Sequence, residues 1–179
     1  MTEVWTIGHG TCPQETFVGL VRREGIALVA DVRSHPGSRT NPQFAQDTMR
    51  GWLDSAGIGY VHLPELGGHR HKQDIEPGIN SGWRHRSFKN YADYTLTPGY
   101  EQGIKRLAGL ASQQRVAYLC AESMPWRCHR LLISNTLTAR GWTVRHIMGG
   151  PTAQVHEFGR WGATPSVHED GTITYPSDA

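Results

Sequence analysis

The chain has 179 residues, of which 37% are hydrophobic and 19% charged, and its formal net charge is +2. This is the length of one ordinary domain with its own core, and the charge is too small to indicate a polyanionic partner by itself. No apolar run approaches the roughly 20 residues of a membrane helix, no secretory signal pattern opens the sequence, and three cysteines do not suit a disulfide framework, so we expect a reduced, cytoplasmic protein without membrane contact.

Hydrophobic periodicity predicts alternating strands and helices. In chain order it predicts a strand at 4–7, a helix at 13–24, a strand at 26–32, a helix at 43–55, a strand at 60–63, a helix at about 98–112, a strand at 115–120, a helix at 125–140 and a strand at 143–148. Helical connections of this length join parallel strands. We therefore expect an α/β fold with three layers around a mostly parallel, doubly wound, Rossmann-like sheet of about five strands. An α+β arrangement with some antiparallel pairing is the alternative.

Two segments fall outside this alternation. Residues 67–97 contain Gly, His, Arg and aromatic residues without a clear period, and we expect them to form a long insert or lid within a domain spanning 1–148. Residues 149–179 are expected to be a C-terminal extension, in which 168–175 has the pattern of a small hairpin.

Chemically capable side chains follow four of the predicted strands. His9 follows the first strand, Asp31 and Arg33 close the second, and Glu122 follows the fourth. The third strand leads into the segment 64–70, which contains a glutamate, a histidine and an arginine. Because ligands of open α/β sheets bind at the carboxyl ends of the strands, we expect the functional site at this edge.

Cys128 is the candidate nucleophile. Ser123 can cap a helix that would carry Cys128 in its opening turns, where the helix N-terminus and the neighbouring Arg127 and Arg130 favour a thiolate. The alternative is a buried cysteine that acts as a small hydrophobic residue. Cys120, Cys128, His129 and His9 are of the types that bind zinc, but their spacing does not match a close-paired ligand knuckle, so we predict no metal and no cofactor.

Glu122 is a second catalytic candidate, as a general acid or base or as a carboxylate nucleophile. It could instead form an ion pair with Arg127 or Arg130. His9 and Asp31 are expected to assist catalysis, although Asp31 could merely brace the loop through an ion pair with Arg33.

Arginine and aromatic residues provide candidate groups for binding a phosphorylated substrate. Arg33 and Arg39 flank a loop rich in Gly and Ser, a combination that can grip a phosphate. The dinucleotide fingerprint and the phosphate-binding P-loop motif are both missing from the sequence. The candidate substrate-binding residues are Arg33, Arg39, Trp83, Arg84, Tyr91, Arg127 and Arg130.

An ordered set of motifs identifies a family. The set comprises Thr6-Ile7-Gly8-His9-Gly10, Asp31-Val32-Arg33, His62-Leu63-Pro64-Glu65-Leu66-Gly67-Gly68, Trp83-Arg84, Tyr91-Ala92-Asp93-Tyr94, Cys120-Ala121-Glu122 and Trp126-Arg127-Cys128-His129-Arg130. In these motifs the chain resembles the family called domain of unknown function 488, from about residue 4 to residue 148. The family pattern usually has Ser at position 10 and Ala at position 123, where this chain has Gly10 and Ser123. The resemblance implies a compact α/β domain in a bacterial or archaeal cytoplasmic protein and implies no reaction.

A shorter likeness concerns the segment Arg127-Cys128-His129-Arg130, which is similar to the Pro-Cys-His-Arg active site of DNA alkyltransferases, with Arg127 in place of Pro. Taken together, these residues favour an enzyme that acts on a nucleotide, nucleoside or nucleic-acid-linked substrate and uses Cys128 or Glu122. The alternative is a non-catalytic module that binds a nucleotide or nucleic acid. A third interpretation is that the Cys, His and Arg side chains only hold the turns together. The oligomeric state stays open.

Overall fold

The computed structural model of the protein describes residues 2–177. Its main sheet has six strands in the order β3-β2-β4-β1-β5-β6, all parallel except the antiparallel edge strand β6. The strands are β1 Glu3–Gly8, β2 Leu28–Asp31, β3 Gly59–His62, β4 Val116–Cys120, β5 Thr143–Ile147 and β6 Gln154–Val155. A separate two-stranded hairpin pairs β7 Ser166–Val167 with β8 Ile173–Thr174. The expected mostly parallel α/β sheet is confirmed.

Helices cover both faces of the sheet. The helices are α1 Gln14–Arg23, α2 Gln46–Ser55, α3 Arg86–Tyr94, α4 Pro98–Gln113 and α5 Arg130–Ala139. Helices α1 and α2 pack on one face through a core that includes Phe17, Met49 and Leu53. Helices α3, α4 and α5 pack on the other face, where the core includes Leu107 and Leu131. The three-layer expectation is therefore confirmed, and strands β2 and β4, covered on both faces, are buried along their whole length.

The insert is irregular over residues 67–85, as its sequence suggests, but its second half is not. Residues 86–94 form helix α3, which the sequence pattern failed to predict. Its buried face contributes Tyr91 and Ala92, and its buried Asp93 accepts hydrogen bonds from Asn80 and Lys89. The sequence pattern missed this helix because its buried positions hold tyrosines, an alanine and an aspartate rather than the aliphatic residues that mark the other helices.

The expectation that Ser123 caps a helix carrying Cys128 in its opening turns is wrong. Residues Pro125–Arg127 form a single 3-10 turn, and helix α5 begins only at Arg130, with His129 as its N-cap. Cys128 lies between the two in an extended conformation, with φ −146° and ψ 176°. The side chain of Arg130 turns back onto the carbonyls of residues 122 and 123, and this interaction holds the preceding loop away from a helical path.

Within residues 2–177, no helix combines the length and the apolar character needed to cross a membrane.

Candidate active site

The site lies where the sheet changes its winding direction. β1 and β4 are neighbours, and their pairing extends past the strand ends through hydrogen bonds from the His9 N–H to the Cys120 carbonyl and from the Gly10 N–H to the Ala121 carbonyl. The chain leaves β1 toward α1 on one face and leaves β4 toward α5 on the other. Diverging connections open a crevice at the carboxyl ends of the strands, which is where open α/β sheets bind ligands.

Three adjoining cavities occupy this edge. The polar cavity, of about 510 Å³, is lined among others by His9, Arg33, Ser38, Arg39, Thr40 and Glu122. The thiol cavity, of about 300 Å³, is lined among others by Arg33, Gly68, Cys120, Glu122, Cys128 and His129. The side cavity, of about 200 Å³, is lined by Gly68, His69, Ser87, Phe88, Tyr91, Arg127, Cys128 and His129. Shared lining residues make the three cavities one cleft with the cysteines in its middle.

A buried arginine lies directly behind the thiol cavity. Arg130 is fully buried, and its Nε donates to Cys120 Sγ at 2.9 Å. Its backbone N–H donates to Cys128 Sγ at 3.4 Å, and the two sulfur atoms are 2.8 Å apart. Among the residues that the structure describes, no carboxylate forms an ion pair with Arg130. An unpaired buried cation costs several kcal/mol, so the sulfur atoms are the source of the compensating negative charge.

The two thiols share this charge unequally. Burial would raise the pKa of Cys128, but its hydrogen bond with Cys120, together with His129 and the charge of Arg130, outweighs burial and holds that pKa well below its usual range. Burial raises the pKa of Cys120 well above its usual range. Of the two, Cys128 is therefore the thiol that ionises first, with the Cys120 S–H as its hydrogen-bond donor.

Two glycines permit the close packing around these groups. A Cβ on Gly8 would lie 1.6 Å from the Glu122 carbonyl oxygen, the atom that accepts a hydrogen bond from Arg130 Nη2. A Cβ on Gly68 would lie 2.3 Å from Nδ1 of His129. The same imidazole donates from Nε2 to the Val32 carbonyl at 2.6 Å, so the loop, the strand and the ring fit only with glycine at position 68.

On the side of the polar cavity, Arg33 is held in a fixed position. The carboxylate of Asp31 accepts two hydrogen bonds from Nε and one from Nη2 of Arg33, and it also accepts the Tyr60 hydroxyl. His9 Nε2 faces Arg33 Nη1 at 3.4 Å, and its Nδ1 donates to the Gly10 carbonyl at 2.8 Å. Since a guanidinium only donates, the imidazole of His9 must be neutral, and burial indeed lowers its pKa.

Seven residues expected at the site line the cleft: Cys128, Glu122, His9, Arg33, Arg39, Arg127 and Tyr91. Of these, Glu122, Arg39 and Arg127 are exposed. Tyr91 lines the side cavity while its hydroxyl donates to the Leu66 carbonyl. Asp31 and Arg130 lie behind the cleft, as partners of Arg33 and of the thiols.

Trp83 and Arg84 lie elsewhere. Trp83 is buried between Phe88, on which it stacks at 4.8 Å, and Tyr175 from the C-terminal extension. Arg84 is exposed and lines none of the three cavities. Both follow the third strand only at a distance in sequence, and the intervening loop carries them away from the edge.

A buried hydrogen-bond chain runs from Arg130 to the C-terminal extension. Arg130 Nη1 donates to Thr6 Oγ1 at 2.8 Å, and Thr6 contacts His146 Nδ1 at 2.7 Å. His146 Nε2 contacts His156 Nδ1 at 2.9 Å, and His156 Nε2 contacts Asn135 Oδ1 at 2.8 Å. Asn135 Oδ1 can only accept, so His156 donates from Nε2. Burial lowers the pKa of both imidazoles, and as neutral rings His156 accepts at Nδ1 from His146, which in turn accepts at Nδ1 from the Thr6 hydroxyl. Sequence reasoning missed this chain because its members come from four distant segments.

The contact between Cys120 and Cys128 was missed as well. The sequence places Cys120 at a strand end and Cys128 eight residues later, but only the extended backbone of Cys128 turns its sulfur toward the strand. The arginine two residues after Cys128 was the available signal, since a buried arginine needs an anion. Within residues 2–177, no group of three or more His, Cys, Asp or Glu side chains is arranged to hold a metal ion.

The family model described as Domain of unknown function DUF488 matches residues 13–137. The match includes Cys120, Cys128 and Arg130. It is shorter than the range of about 4–148 over which the motifs show the resemblance. Strands β1 and β5 and the C-terminal extension lie outside it. No curated protein and no solved structure matches the chain significantly.

Proposed function

The chain belongs to the DUF488 family, and from the geometry of its site we propose that it is an enzyme whose nucleophile is the Cys128 thiolate and whose substrate is a nucleotide, a nucleoside or a group linked to nucleic acid. The observation that carries this proposal is the fully buried Arg130, whose charge is compensated by the two sulfur atoms. A merely structural cysteine needs no buried cation, whereas a nucleophile needs its thiolate form.

The polar cavity supports a phosphorylated substrate. Its volume of about 510 Å³ lies in the range of small-molecule sites, roughly 300–1,000 Å³. Arg39 lines this cavity with an exposed guanidinium, whereas Arg33 forms part of the cavity wall, with its donors directed to Asp31 and the Phe44 carbonyl. The hydroxyls of Ser38 and Thr40 can donate to the same phosphate oxygens. A phosphate held there would place the rest of the substrate toward the thiol cavity.

Glu122 is placed to move a proton. It lines both the polar and the thiol cavities, and among the described residues it forms no ion pair that would occupy it. In the proposed mechanism Cys128 Sγ attacks the electrophilic atom of the substrate, the bond from that atom to the leaving group breaks, and Glu122 protonates the leaving group. The Glu122 carboxylate then takes a proton from water, whose oxygen replaces the sulfur on that atom and frees the Cys128 thiolate. Asp31 acts indirectly, as a positioning residue for Arg33.

The first test concerns binding. Nucleoside phosphates should slow the alkylation of Cys128, and Arg39→Ala should weaken this protection about 10-fold, in line with about 1.4 kcal/mol for a charge-assisted contact. Lys105→Ala removes one exposed positive charge from α4 and is the matched control. Equal protection in Arg39→Ala and Lys105→Ala would refute the assignment of the polar cavity.

The second test concerns chemistry. Nucleotides, nucleosides and short oligonucleotides are screened for conversion, and Cys128→Ser and Glu122→Gln should abolish it. Glu122→Gln, at an exposed position, should unfold at an unchanged urea concentration, whereas Cys128→Ser removes a sulfur partner of the buried Arg130 and should unfold at a lower one while staying folded in the assay. Conversion by Cys128→Ser at the wild-type rate would contradict the nucleophile. Tight binding by every variant with no conversion by wild type would instead identify a binding module.

A further inference from the structure

The thiol cavity contains two cysteines rather than one. The Cys120 and Cys128 sulfur atoms are 2.8 Å apart, closer than a normal non-bonded contact, and both side chains are free thiols that line the same cavity. A single nucleophile would need only Cys128. The third cysteine, Cys12, is half-buried and lines a different cavity, away from Cys120 and Cys128.

We propose that Cys120 and Cys128 form a redox couple that reduces small hydroperoxides, with Cys128 as the attacking thiolate and Cys120 as the resolving thiol. The proposal rests on the proposed function in one respect, since it uses the same Cys128 thiolate. It adds a second activity, a second substrate class and a role for Cys120.

The chemistry balances in two steps. Cys128 S⁻ attacks the terminal oxygen of the hydroperoxide, the O–O bond breaks, and the products are the Cys128 sulfenic acid and an alkoxide that takes a proton to become the alcohol. Cys120 then attacks the sulfenic sulfur, an S–S bond forms, and the hydroxyl group leaves as water with the Cys120 proton. A dithiol reductant returns the disulfide to two thiols by exchange and is itself oxidised to a disulfide.

The surrounding charges favour the reduced state. Arg130 and His129 stabilise the thiolate, and disulfide formation removes the only anion next to the buried guanidinium among the described residues. A couple whose reduced form is stabilised in this way is oxidising, so its disulfide is reduced easily. The structure therefore favours a transient disulfide over a permanent structural one.

The oxidation experiment uses the full reduced chain. It is treated with hydrogen peroxide or an organic hydroperoxide at pH 7, and peptide mapping follows each cysteine. We expect a Cys120–Cys128 disulfide, with Cys128 consumed at least about 10-fold faster than Cys12 because only the thiolate reacts. Cys12→Ser is the matched control and should give the same disulfide at the same rate.

Two variants isolate the steps. Cys120→Ser should stop at a Cys128 sulfenic acid that dimedone traps, and Cys128→Ser should form no disulfide. In glutathione buffers, His129→Gln should leave a larger fraction of the protein oxidised at a given ratio of reduced to oxidised glutathione, because it weakens the stabilisation of the thiolate.

The possible outcomes distinguish the redox couple from the nucleophilic enzyme of the proposed function. Rapid alkylation of Cys128 without a Cys120–Cys128 disulfide would overturn the redox couple and leave the nucleophile standing. Oxidation of Cys12 as fast as Cys128, or a disulfide that joins Cys12, would overturn it too. A Cys128 inert to both alkylation and peroxide would remove both proposals.

Discussion

The guanidinium of Arg130 lies in the core with two sulfur atoms where a carboxylate would be the usual partner. Burial would lower its pKa, but its interactions with Cys120 and Cys128 outweigh burial and raise it. At the residue scale, the site therefore consists of one buried cation that contacts both sulfur atoms from behind, while Glu122 and Arg39 face the cleft from the front.

Gly68 keeps His129 in position beside Cys128. Gly68→Ala adds a Cβ 2.3 Å from His129 Nδ1, so the ring or the loop must move, at a cost of about 1–3 kcal/mol. We expect a lower free energy of unfolding in urea and an alkylation midpoint of Cys128 shifted to higher pH. Gly19→Ala, with nothing within 4 Å of its new Cβ in helix α1, should stabilise by about 0.5–1 kcal/mol and leave that midpoint unchanged. Similar behaviour of the two variants would refute the role of Gly68.

Asp31 is the only carboxylate paired with Arg33 in the described part of the chain. Asp31→Asn leaves the buried guanidinium of Arg33 without its anionic partner. It should lower the free energy of unfolding in urea by about 3–5 kcal/mol. Tyr60→Phe removes one hydrogen bond to the same carboxylate and should cost about 1 kcal/mol. If the two variants lost equal stability, the ion pair would not be what holds Arg33.

At the scale of elements, β1, β5 and α5 are joined by the polar chain through Thr6, His146 and Asn135. Both histidines of the chain are neutral, because burial lowers the pKa of His146 to about 3 and that of His156 to about 4. In the unfolded chain a histidine titrates near pH 6.5, so acid favours unfolding.

The two neutral histidines of this hydrogen-bond chain predict that the folded protein loses stability in acid. The stabilisation is complete above about pH 6.5 and is lost as the pH falls toward the folded-state values, at about 1.4 kcal/mol per pH unit for each histidine. Urea unfolding at pH 7 and pH 5.5 measures the loss, and His156→Gln should reduce it by about 1 kcal/mol, the contribution of one histidine, while the buried His146 and His9 keep theirs. His168→Gln, at an exposed histidine, is the matched control. If the stability of His156→Gln depended on pH as strongly as that of the wild type, the neutral state of the histidines in the hydrogen-bond chain would be contradicted.

The strands and most of the helices could be predicted because their apolar periodicity is strong. The pattern predicts a strand at 26–32 and a helix at about 98–112, for example, and the structure has β2 at Leu28–Asp31 and α4 at Pro98–Gln113. The start of α5 could not be predicted, since it depends on the return of the Arg130 side chain to the carbonyls of Glu122 and Ser123. Candidate site residues at strand ends were placed correctly at the edge, whereas Trp83 depended on the path of a long loop.

On the scale of the whole molecule, the C-terminal extension is part of the core. Helix α5 is buried without interruption from Arg130 to Leu137, because the sheet covers one side and the extension contributes to the other. Tyr175 from the extension meets Asn135 of α5 and the backbone of Gly82 in the insert. Residues outside the family match therefore complete the support of the site.

Tyr175 tests this support. Tyr175→Phe leaves Asn135 without its hydroxyl partner and should cost about 1 kcal/mol. Tyr175→Ala also opens a cavity beside Trp83 and should cost about 3–5 kcal/mol. Thermal and urea unfolding measure both, with Val167→Ala, at an exposed position of the hairpin, as the control. A Tyr175→Ala protein as stable as Val167→Ala would mean that the extension is only an appendage.

The most direct measurement is the alkylation rate of each cysteine against pH, read by peptide mapping of the native protein. We expect Cys128 to react with a midpoint well below the ordinary value of about 8.5. Cys12, whose pKa is raised by burial, should react only at higher pH and serves as the internal reference. A Cys128 that stays inert until the protein unfolds, or that follows the same pH curve as Cys12, would contradict the thiolate on which the proposed chemistry depends.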